Sequence, residues 1–100
     1  MLIALLTLLA ITPLTVAQEL SLTRLVRLKI AAGDLATGAH AAEDYRLTKG
    51  TDKEYWDAIG WLARGAEMLG KPDLAARYVA ELQRAIPDET EELLVPYGAA

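Results

Sequence analysis

Two glycines inside an otherwise plainly helical run set the tightest limit on how this chain folds. Residues 57–78 read "DAIGWLARGAEMLGKPDLAARY", and Ile59, Leu62, Ala66 and Leu69 fall at the three- and four-residue spacing of one helix face. Gly60 and Gly65 stand within that run, where each costs a helix about 1 kcal/mol relative to alanine. Something needs the missing side chains. One reading is a helix crossing too close for a Cβ; the other is a groove kept open for a ligand or peptide. The two readings lead to different functions.

The neighbouring sequence extends the helix in both directions. Thr51 and Glu54 have the spacing of a capping box, Tyr55 joins the apolar face, and Trp56 and Ala63 widen it. Gly70 is placed to close the helix as a left-handed cap, and Pro72 opens the next, where its missing N–H costs nothing. That next helix is expected over Pro72 to Ala85, burying Ala75, Tyr78, Val79 and Leu82, with Pro87 ending it. Upstream, Leu22, Leu25, Val26 and Leu28 alternate with Arg24, Arg27 and Lys29 in a helix over about Ser21 to Ala32, stopped by "AGD". A second, alanine-rich helix is expected over about Leu35 to Leu47, with "TKG" as its terminator. Asp88 and Glu91 are spaced to begin a fifth, but Pro96 and Gly98 interrupt it, so 88–100 reads as a short, partly helical, frayed tail. The apolar content is mainly Ala and Leu, with four Tyr, two Trp and no Phe, which suits closely packed helices. The expected fold is all-α.

The amino terminus belongs to a different class. "MLIALLTLL" runs apolar through Ile11, meets Pro13, and reaches its first charge at Glu19. An apolar core followed by small residues has the form of an export signal over 1–17, with Thr15 and Ala17 ahead of a cleavage point before Gln18. No Lys or Arg precedes the core, so the terminal amine carries the whole positive charge. The alternative is an anchor formed by residues 2–17, although a span normally takes about 20 apolar residues and Pro13 interrupts this one. The expected compartment is periplasmic or extracellular, with membrane contact only transient through the signal. The chain has no cysteine, which excludes disulfides, lipoprotein attachment and thiol chemistry of its own.

Setting Gly33 over Gly70 lays "GDLATGAHAAEDYR" over "GKPDLAARYVAELQ", with Leu35 on Pro72, Gly38 on Ala75 and Ala42 on Val79. Small and apolar residues recur in register. The unit from Trp56 to Pro87 resembles a tetratricopeptide repeat: Leu62 and Ala63 match its leucine and small residue, Gly70 its turn, Ala75 its close-packed site and Pro87 its end. Ile59 stands for the family's usual Trp, Ala66 for its Tyr and Leu82 for its Ala. The resemblance implies two antiparallel helical hairpins over 18–87 and a non-catalytic interaction or scaffold module. In that family the first helix of each pair lines the concave face, so it implies a binding stripe of Asp57, Trp61, Arg64, Glu67 and Met68 beside Gly60. A second resemblance covers more of the chain. "AAGDLATG" followed by "EYWDAIGWLARGAEMLGKPDLAARYVAEL" is similar to the helical region preceding the thioredoxin-like domain of some secreted bacterial thiol-disulfide oxidoreductases. The Cys-x-x-Cys of such enzymes is absent, so the alternative is their helical segment without its catalytic domain.

Other chemistry is thinly supported. His40, Glu43 and Asp44 adjoin on one helix, but a zinc site needs more ligands and there is one His in the chain. No Gly-rich phosphate loop or nucleophile–base pairing is present, and no cofactor is expected. The net charge is −4, with ten acidic residues against five basic ones in 51–100, which argues against nucleic acid. The expected partner is a protein or peptide, or a second copy meeting the open end of the last hairpin through Tyr78, Leu82 and the Leu93 to Val95 segment.

Overall fold

A computed structural model describes residues 20–91, 93 and 94. The export signal expected over 1–17 and the last residues of the tail lie outside the described residues. Among the described residues the fold is all-helical, with four α-helices and no strand. They are α1 (Leu22–Ala31), α2 (Leu35–Lys49), α3 (Lys53–Met68) and α4 (Pro72–Ala85).

Each helix begins for a local reason. The Ser21 hydroxyl accepts from the Arg24 N–H at 3.1 Å and the Asp34 carboxylate from the Thr37 N–H at 3.2 Å, each satisfying a first-turn donor. For α3 the cap is Asp52, which accepts from the Tyr55 N–H at 3.0 Å. The capping box expected from Thr51 and Glu54 does not form, because Glu54 has another partner. Its carboxylate accepts the Thr23 hydroxyl at 3.0 Å and the Thr23 N–H at 3.5 Å, so it serves the first turn of α1 across the helix interface. Pro72 opens α4 without a side-chain cap.

The turns after α1 and α3 are built alike. Gly33 and Gly70 each take φ of 76°, the left-handed conformation that glycine reaches without a Cβ penalty. In the first, the Gly33 N–H donates to Ile30 O at 2.9 Å and the Asp34 N–H to Lys29 O at 2.8 Å. In the second, the Gly70 N–H donates to Glu67 O at 3.2 Å and the Lys71 N–H to Ala66 O at 2.8 Å. Both are Schellman closures, which satisfy the last carbonyls of the helix and reverse the chain within a few residues.

Helix α3 is the hub. It packs against α1, α2 and α4, whereas α4 touches α3 alone among the four helices. Its buried residues include Tyr55, Ile59, Leu62 and the small residues Ala58, Ala63 and Ala66. Helix α1 presents Leu22, Val26 and Ile30 to this core. Leu28, two positions from both Val26 and Ile30, points to the opposite side and is 54% exposed. Leu69, expected on the core stripe, lies past the end of α3 and is exposed. In α4, Ala75 and Leu82 are buried, and Tyr78 and Val79 half-buried.

The two glycines of α3 have different neighbours. A Cβ added at Gly65 would stand 2.8 Å from both Cδ1 and Cγ1 of Ile30 and 3.0 Å from its Cγ2. That glycine exists because a branched side chain of α1 is seated on the bare backbone of α3. A Cβ at Gly60 would meet only Leu93 Cβ at 3.7 Å, an ordinary contact. The two sites therefore respond to alanine with opposite sign. Gly60→Ala gains about 0.5–1 kcal/mol of helix propensity. Gly65→Ala collides with a branched side chain near its backbone and loses about 1–3 kcal/mol to overpacking, which outweighs that gain. Urea unfolding of the two variants checks this, and destabilisation by Gly60→Ala equal to that of Gly65→Ala would contradict the packing account.

Candidate functional site

The residues of the expected stripe run along one side of α3, and the structure treats them unequally. Asp57 accepts from the Lys53 ammonium at 2.8 Å and has a side chain 26% exposed. Trp61 is half-buried, with the Arg27 guanidinium of α1 stacked over its ring at 4.4 Å from the centroid. Arg64 is half-buried, and Glu67 and Met68 are exposed, Met68 at 67%. Helix α1 thus leans over the middle of the stripe and leaves its carboxyl-terminal end accessible.

Trp56, which widens the apolar face of α3, is half-buried against the core and also lines two clefts. One, of about 390 Å³, is lined by Lys53, Trp56, Asp57, Ile86, Glu89 and Leu93. The other, of about 500 Å³, lies on the side shared by α2, α3 and α4, with Tyr55 and Trp56 among its walls beside Glu43, Arg46, Glu81 and Arg84. The rings of Tyr55 and Trp56 meet edge to face, 4.8 Å apart at 76°. The Trp56–Gly60 pair, four residues apart, was the available signal: a large ring next to a missing side chain on one helix face.

The His40, Glu43 and Asp44 group divides. His40 Nε2 lies 3.6 Å from Asp44, while Glu43 takes a two-point contact from Arg46 at 2.6 and 2.9 Å. Arg46 holds the Glu43 carboxyl below its ordinary range, mainly through that hydrogen bond. Among the described residues no group of three or more His, Asp or Glu is placed to hold a metal ion. The stripe and the adjoining cleft bring together an indole, an ammonium, a guanidinium and carboxylates, with the indole covered by Arg27 and the ammonium paired with Asp57.

At the start of α3 the Tyr45 phenol donates to Asp52 at 2.7 Å, tying α2 to the cap. The hydrogen bond to Asp52, with desolvation and the carboxylate charge, pushes the Tyr45 phenol up to about 12. Asp52 is held below its ordinary 3.8, first by Tyr45 and then by the Tyr55 N–H. The signs follow from linkage. The Asp52 contribution is present above its unfolded value and fades as pH falls through the lower folded one. The Tyr45 contribution is present below its ordinary 10.0 and is lost as pH rises through about 12. In Asp52→Asn, which keeps a good N-cap, Tyr45 is expected to titrate back toward 10.0. Phenolate absorbance of this variant, with helicity followed in parallel, checks it; an unchanged titration would remove Asp52 as the cause.

No protein-family model, curated protein or solved structure matches this chain.

Proposed function

We propose that the chain is an exported, non-catalytic helical interaction module of tetratricopeptide-like architecture, with α1 and α2 as one antiparallel hairpin and α3 and α4 as the next. The observation that carries the reading is the pair of matched turns, with the same glycine φ and the same two backbone hydrogen bonds at Gly33 and Gly70. The packing order supports it further. Thr23 meets Glu54, Arg27 meets Trp61 and Ile30 meets Gly65, so the first helices of the two pairs lie side by side in the same direction. The matched turns at Gly33 and Gly70 recur 37 residues apart, near the tetratricopeptide repeat length of about 34 residues.

In this reading the stripe of Asp57, Trp61, Arg64, Glu67 and Met68 contacts a protein or peptide partner, and its accessible end at Glu67 and Met68 makes first contact. The apolar leader at 1–17 directs export and is removed before Gln18. Two measurements test these claims. The mass of the mature chain is expected to place its first residue at Gln18; retention of residues 1–17 would replace export by anchoring. A photo-crosslinking residue at Met68 is expected to trap a discrete partner in the native compartment, whereas one at Leu47, exposed on α2, traps none. Equal yields from both positions, or none from Met68, would remove the stripe from consideration.

A further inference from the structure

Helix α1 has an outer face that the core does not use. Leu22, Val26 and Ile30 point inward, while Arg24, Arg27, Leu28 and Ala31, three and four residues apart, are exposed together. Leu20, which leads into the helix, is 43% exposed. A single exposed leucine is ordinary on a protein surface. Leu28, however, shares its face with two guanidinium groups.

The charge of this helix is set apart from that of the chain. Residues 20–33 carry Arg24, Arg27 and Lys29 and no Asp or Glu, whereas the whole chain has a net charge of −4. Among the described residues the ion pairs run from His40 to Asp44, Arg46 to Glu43 and Lys53 to Asp57, so none of the three cations of α1 is in one. Arg27 is held over the Trp61 ring, a contact that fixes the guanidinium in place and leaves its charge unneutralised. Lys29 is half-buried toward α2, its Cβ 3.6 Å from where a Cβ on Gly38 would stand. The outward charge is therefore that of the two arginines.

A soluble acidic partner would pair with those arginines and have no use for Leu28. An anionic bilayer takes both, since its phosphates lie at the level of the guanidinium groups and the acyl boundary beneath accepts a leucine from the same face. Position in the sequence agrees. Helix α1 is the described helix nearest to the apolar run through Ile11, the part of the chain read as an export signal or anchor.

We propose that the outer face of α1, formed by Arg24, Arg27 and Leu28 with Leu20 at its start, is a contact surface for anionic phospholipid, on which the folded chain rests by its first helix. This adds a membrane contact of the folded part to the one made by the leader, and it is independent of the repeat reading. With two arginines on the face, the contact is weak and reversible.

The test sediments the chain recovered from its native compartment with vesicles of phosphatidylglycerol and, separately, of phosphatidylcholine, and reads the ratio of the two partition coefficients. The ratio cancels what residues 1–17 contribute where they are retained. The parent chain is expected to favour phosphatidylglycerol about ten-fold or more, and salt that shortens the screening length to about 3 Å is expected to remove the preference. Arg24→Gln is expected to lower the ratio about five-fold, whereas Arg24→Lys keeps it. Arg77→Gln makes the same charge change at an exposed position of α4, which does not pack on α1, and is expected to leave the ratio unchanged. Leu28→Gln is expected to weaken binding to phosphatidylglycerol about three-fold. A ratio near one for the parent chain overturns the proposal, as do equal losses from Arg24→Gln and Arg77→Gln or from Arg24→Gln and Arg24→Lys. A loss with Arg24→Gln and none with Leu28→Gln gives the face to a soluble acidic partner and overturns the assignment to lipid.

Discussion

The seating of Ile30 on Gly65 is the contact on which the rest of the arrangement depends. A branched side chain within 3.0 Å of a would-be Cβ fixes how near α1 approaches α3 and leaves little freedom to slide. With that approach set, Arg27 reaches the Trp61 ring and Thr23 reaches Glu54, so one steric fact places a stacking contact and a charged cap in register. Helix α3 then has α2 and α4 on its remaining sides, and its alanines at 58, 63 and 66 are all buried. The small residues that make the sequence look poor in core are what let one helix contact three others.

This bears on the choice posed by the two glycines. A groove kept open and a helix packed close both delete a side chain, and the helical wheel does not distinguish them. The neighbour does: Gly65 is filled by Ile30, so its absence of a Cβ is a packing requirement and has no direct part in binding. Gly60 is a milder case, with room for a methyl group beneath Leu93. Since alanine would fit there and favour the helix, local packing alone does not account for glycine at position 60. Its place beside Trp56 and under the returning chain gives that surface a shallow seat.

Much of the fold was legible because helix boundaries are local. Gly33, Gly70 and Pro72 mark turns through their own backbone chemistry, and α4 begins and ends where its proline and apolar spacing put it. What was misread depended on contacts distant in sequence. Glu54 has the spacing of a capping-box partner, but the competing donors of Thr23 stand 31 residues away, and nothing local reveals them. Leu82 was read in two ways. The period of α4 already places Leu82 on its buried face, where the structure puts it at 0% exposure, so its second reading as part of an open end does not hold. Of the candidate stripe, the sequence placed all five residues on one helix, while the covering of Trp61 by Arg27 required the α1–α3 register.

The turn after α4 is held differently from the four helices. Among the described residues beyond α4, Ile86, Leu93 and Leu94 pack against the core. An interface that small is worth a few kcal/mol at most in transfer terms, at about 1.5–3 kcal/mol for each fully buried large apolar side chain. These three are half-buried, so each contributes less than that. Helices α3 and α4, by contrast, pack directly on each other. The contacts that fix α3 against α1, α2 and α4 therefore carry the arrangement, and the turn after α4 is the part of the described fold with the least apolar burial of its own to hold it.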